Sequence, residues 1–131
     1  MKLSNLLLNY GLQLDERLPY EFNLTHKQDF NKISIHLGTV PGISVELYDL
    51  IFAGIWGEKS FSASDLFISS KAGYILPSDE GSIKILTNSR DDELIEVRMP
   101  QKISDVTKVI INLKFSRLPL VSQKACDFIS P

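Results

Sequence analysis

Apolar residues in this chain recur at every second position over several short runs, and turn-forming residues separate the runs. In residues 31–38, Ile33, Ile35 and Leu37 fall on one side, with Lys32, Ser34 and His36 on the other. A period of two is the mark of a half-buried strand. Residues 44–52 are apolar and extended, carrying Val45, Leu47 and Tyr48, and residues 66–68, 74–76, 82–86, 94–99 and 106–115 read as further strands. Pro41-Gly42, Ala72-Gly73, Pro77-Ser78-Asp79-Glu80-Gly81 and Asn88-Ser89-Arg90 punctuate them as turns. Residues 54–64, with Gly54, Gly57 and a polar run, are expected to form a long loop. Short strands at near-regular spacing predict an all-β fold, an antiparallel two-sheet β-sandwich. Near the N-terminus, Leu3, Leu6, Leu7 and Tyr10 recur at helical spacing between Ser4 and Gly11. That pattern allows a short N-terminal helix or an irregular strand.

Size and charge narrow the class of partner. The 131 residues make one domain, residues 1–131, with ordinary globular usage: 44% hydrophobic and 23% charged. A net charge of −2 supplies no basic field for phosphates, which argues against nucleic acid as the partner. The single cysteine, Cys126, excludes an internal disulfide and fits a reducing compartment. Ser4, Asn5, Asn9 and Gln13 interrupt the N-terminal apolar run, so it does not read as a signal peptide. No apolar stretch is long enough to cross a bilayer as a helix. The expectation is a cytoplasmic protein without membrane insertion.

Chemistry-bearing residues are sparse. Asp91-Asp92-Glu93 stands at the mouth of the strand beginning Leu94-Ile95-Glu96-Val97, and such a cluster on a strand-entry loop is what a hard cation like Ca²⁺ needs. A solvated turn has the same composition. His26 and His36 have no metal-ligand spacing: His36 falls on the polar side of a strand and His26 in a turn. No Gly-x-Ser-x-Gly elbow marks a nucleophile, and the adjacent Asp79 and Glu80 read as solvated turn residues. Nothing here assembles a catalytic set, so the chain is not expected to be an enzyme. Phe52, Trp56 and Phe61 bracket the 54–64 loop. They are read either as a cap on one end of the core or as an exposed anchor for a partner.

A family resemblance rests on the same segment. Asp91-Asp92-Glu93, Ile95, Val97, Met99, Asp105-Val106, Lys108 and Val109-Ile110-Ile111 follow one another without a gap. So spaced, they resemble the acidic loop, strand, connector and strand of the TerD family of tellurium-resistance and stress-response proteins. Asn23-Leu24-Thr25, the run from Lys32 to Gly38, and Gly81-Ser82-Ile83-Lys84 are similar to further segments of that family. The resemblance covers roughly residues 20–115. It implies a calcium-binding β-sandwich with Asp91, Asp92 and Glu93 as metal ligands. The family's Asp-Leu-Asp ligand pair falls within residues 60–64, where this chain has Ser-Phe-Ser-Ala-Ser and no acid. Its Gly-Asp-Asn turn corresponds to Thr87-Asn88-Ser89, Arg90 replaces a glycine, and its C-terminal third has no counterpart here. With so few carboxylates, Ca²⁺ binding is expected to be weak or lost.

The reading that follows is a shortened, divergent, non-enzymatic TerD-like binding module. It would serve in a bacterial stress-response complex of the tellurium-resistance type. The alternative is a structural or assembly β-sandwich subunit of a phage or secretion-type complex. There edge strands pair with neighbours, and the tail at residues 118–131 docks on another subunit. Either way the partners are proteins, and homo-oligomers are allowed.

Overall fold

The computed structural model describes residues 15–38, 43–71, 73–77, 81–87 and 93–117. These residues form seven strands and one short 3₁₀ turn. The strands are β1 (Arg17–Gly38), β2 (Ile43–Gly54), β3 (Gly57–Ser62), β4 (Phe67–Ser70), β5 (Tyr74–Pro77), β6 (Ile83–Leu86) and β7 (Glu93–Arg117), with the 3₁₀ turn at Ala63–Asp65. All pairings are antiparallel. The all-β, sandwich-like expectation holds. The short N-terminal helix or irregular strand lies outside the described residues, as does the docking tail at 118–131. Ser116 and Arg117 close β7, paired with Ser44 and Ile43.

The two layers are not separate sheets. One hydrogen-bonded sheet runs β1-β7-β2-β6-β5, with β3 added to β2 and β4 added to β7. Strands β1 and β7, 22 and 25 residues long, pass through both layers. The N-terminal half of β1 pairs with the C-terminal half of β7 (Tyr20 with Ile111), and β2 joins them there. The C-terminal half of β1 pairs with the N-terminal half of β7 (Ile33 with Val97), and β4 joins them there. Between the halves the register shifts three times, from Asn23 to Gln28, Gln28 to Phe30 and Phe30 to Lys32. Such irregularities bend a strand and increase its twist, which folds the sheet over onto itself.

Burial follows the pleat. Ile33, Ile35 and Val97 of one layer face Leu47, Leu50 and Ile111 of the other across a gap with no room for a water molecule. The break between Leu47 and Asp49 in the β2–β7 register lets β2 carry Val45 and Leu47 inward, then Leu50 and Phe52. Phe52 stands between Phe30, 5.7 Å away between ring centres, and Phe61, at 6.2 Å and nearly perpendicular.

The bend carries its own polar latch. Asp105 has φ 55°, a left-handed conformation that aspartate tolerates better than most residues. Its N–H donates to Asp29 Oδ1 at 3.0 Å, and Lys102 reaches the other oxygen of Asp29 at 3.4 Å. These contacts, the Asp105 N–H foremost and then Lys102, hold the Asp29 carboxyl below the usual aspartate range. A carboxyl more acidic in the folded than in the unfolded chain stabilises the fold above the unfolded range. That contribution disappears as pH falls through the lowered folded value. An NMR titration should therefore place the Asp29 midpoint below that of an unperturbed aspartate, and Asp29→Asn should lose its difference from wild type in acid. A midpoint at or above the ordinary value would contradict the latch.

Three expectations about elements change. The 54–64 segment is not a long loop: β2 turns at Ile55-Trp56 straight into β3, with Gly54 opposite Gly57. The connector before Asp105-Val106 is not a break between strands but the bent middle of β7. His26, read as a turn residue, is an exposed residue of β1 within the first register shift.

Candidate functional site

Glu93 opens β7, its backbone paired with Gly38. Asp91 and Asp92 lie outside the described residues, and of Glu93 only the backbone is described. The serine segment can be placed relative to it. Phe67 pairs with Arg98 and Ser70 with Ile95. Residues 60–64 precede Phe67 and so lie beyond the Arg98 end of β4, whereas Glu93 lies beyond the Ile95 end. About 15 Å of strand separates the two, at roughly 3.3 Å per residue. The serine segment therefore joins no ligand set with Glu93. Ser62 and Ser64 instead bond to each other at 2.9 Å, and the Ser62 hydroxyl donates to Asp65 at 3.1 Å. Among the described residues no three His, Cys, Asp or Glu side chains are grouped to hold a metal. Asp79, Glu80 and Cys126 are outside the described residues, and His36 is half-buried, its backbone opposite Leu94.

The three aromatics singled out from the sequence divide. Phe52 and Phe61 are core, while Trp56 is 44% exposed at the β2–β3 tip beside Ile55, which is 85% exposed. Trp56 is held in place: its Nε1–H is shared between the carbonyls of Ser104 (3.0 Å) and Asp105 (3.1 Å) on the β7 bend. The tip thus presents Ile55 on a fixed support.

The edges of the sheet differ sharply in chemistry. Among the described residues β1 pairs only with β7, β3 only with β2, β4 only with β7, and β5 only with β6. The exposed positions of β1 are Arg17, Pro19, Glu21, Asn23, the run from Thr25 to Asp29, Asn31 and Lys32. Charges and a proline of this kind keep an edge from pairing with strangers. On the far side β3 exposes Glu58, Lys59, Ser60 and Ser62 and β4 exposes Ser69, but large apolar side chains are exposed there too: Phe67 of β4 at 65%, and Ile75 and Leu76 of β5 at 37% and 46%. Leu76 lies opposite Lys84 on the outer face of β6, and Ile75 opposite the buried Ile85 on the inner face. Only Pro77, which lacks an N–H donor, blunts β5. Beside β4, Phe67, Arg98 and Lys32 form one cross-strand row, with Lys32 reaching Glu96 at 3.5 Å.

Sequence reading placed Phe67 and Ile75-Leu76 in strands but had no means of telling which strands end the sheet. Ile55 was missed because it was assigned to a loop. No described helix is long and apolar enough to cross a membrane. Comparison with protein-family models, with curated proteins and with solved structures finds no match for the chain. The TerD resemblance therefore rests on the motifs quoted above.

Proposed function

We propose that this chain is a non-catalytic protein-binding module that takes part in an assembly by adding an extended segment of a protein neighbour to its β5 edge. One observation carries the reading: the large exposed apolar side chains of the described residues sit on the β4, β5 and β2–β3-tip side, none of them on β1. Strand addition draws affinity from main-chain hydrogen bonds and specificity from alternate side chains. An edge that is apolar on both faces suits such a neighbour. A random-peptide selection should enrich extended segments with alternating apolar residues. Their binding should be lost in Ile75→Lys/Leu76→Lys and kept in Glu21→Lys. Binders indifferent to the β5 substitutions would refute the reading.

The TerD-like identity and a stress-response setting are proposals supported by the motif spacing alone, and a cytoplasmic location is a proposal supported by the single cysteine and the interrupted N-terminal apolar run. Under that reading Asp91, Asp92 and Glu93 hold Ca²⁺ weakly or not at all, because residues 60–64, which correspond to the family's Asp-Leu-Asp ligand pair, carry no acid. Millimolar Ca²⁺ should leave the melting temperature unchanged. A tight site would add about 2.7 kcal/mol at a hundred times its Kd. A gain of that size, lost in Asp91→Asn/Asp92→Asn, would restore a calcium protein.

A further inference from the structure

The β5 edge lies at one limit of the sheet order, and the N-terminal segment leaves from the other. Asp15 donates its N–H to Phe115 O at 2.6 Å, which fixes the start of the described chain beside β1 and β7. Fourteen residues precede it. In them Leu6, Leu8, Tyr10, Leu12 and Leu14 occupy every second position, with Asn9, Gly11 and Gln13 between the last four. Leu7 breaks the alternation, so a period of two holds over the seven residues from Leu8 to Leu14, which suits a strand with one apolar face.

We propose that this segment is the occupant of the β5 edge, and that it binds there on a second copy of the chain. The proposal rests on the edge reading above and names the segment that fills it. Added to β5 with its pleat in step, the segment places its leucine row on the inner face beside Ile75 and continues the buried layer of Ile85. From β1 to β5 along the sheet the path crosses β7, β2 and β6, about 19 Å at roughly 4.8 Å per strand. Leu14 adjoins the fixed Asp15, so within one molecule that crossing would use about six residues of the alternating run at roughly 3.3 Å each, and its apolar row could not also lie along β5. The contact joins two different surfaces, so copies add head to tail and close into a ring or extend into a fibre.

Complementation between two full-length variants tests this. Leu8→Asp/Leu12→Asp removes the donor and leaves the edge; Ile75→Lys/Leu76→Lys removes the edge and leaves the donor. By light scattering the wild-type chain should grow past the dimer as its concentration rises. Each variant should be monomeric with an unchanged melting temperature, and an equal mixture of the two should give a dimer and nothing larger. A wild-type chain monomeric at about 1 mM, a scale at which such contacts are weak, would overturn the proposal and leave the peptide selection as the judge of the edge. Association kept in Leu8→Asp/Leu12→Asp but lost in Ile75→Lys/Leu76→Lys would overturn the N-terminal occupant and spare the edge. Association kept in both would refute both.

Discussion

Phe52→Ala is expected to lower stability by about 3–5 kcal/mol, the usual cost of truncating a buried phenylalanine. The side chain is fully buried and lies where the two layers and β3 meet, against Phe30 and Phe61. Removing it leaves a void between strands that are held by backbone bonds on either side and so have little freedom to close it. Edge-to-face contact with Phe61 adds a term beyond burial. For a domain whose total stability is about 5–15 kcal/mol, this is a large share. Denaturant unfolding measures it, and Phe52→Leu, which keeps most of the volume, serves as the companion. The leucine variant should lose less than half as much. Equal losses would mean that the ring geometry, not the filled volume, holds the layers together.

Gly54→Ala is the second large effect, expected at about 1–3 kcal/mol, the range for forcing extra volume into a tight site. A β-carbon at Gly54 would stand 2.5 Å from the Asp105 carbonyl oxygen and 2.6 Å from Trp56 Nε1. The first neighbour is backbone at the bend of β7, and the second is the donor that ties the hairpin tip to that bend. Neither yields without loosening the Trp56 latch. The variant should therefore unfold at lower denaturant and show faster amide exchange at the β2–β3 tip and around Asp105, with the β5–β6 pair unaffected. Faster exchange spread evenly over the sheet would contradict a local strain.

How much of this was readable beforehand depended on which forces each residue reports. Ile33, Ile35, Val45, Leu47, Ile85 and Val97 alternate because one face of their strands is dry, and that pattern identifies a strand whatever its partners. Bends have no such mark. The middle of β1, from Thr25 to Asp29, is polar and the Pro100-Gln101 stretch of β7 carries a proline, both exposed where the sheet turns over. They look like connectors although the backbone stays extended. For the same reason β3, where only Phe61 is buried, resembled a loop. The asymmetry between the edges was hidden too, since a sequence lists strands without saying which ones lack a second neighbour. Glu93 and the serine segment were brought together by analogy alone, and the β4–β7 register separates them.

Amide hydrogen exchange of the full-length chain at dilute and at concentrated conditions tests the recognition edge most directly. Added protection at residues 74–76 on concentration, with the β1 edge unchanged, is the predicted outcome. Protection that rises along β1 instead, or a β5 edge that exchanges alike at every concentration while larger species form, would contradict it.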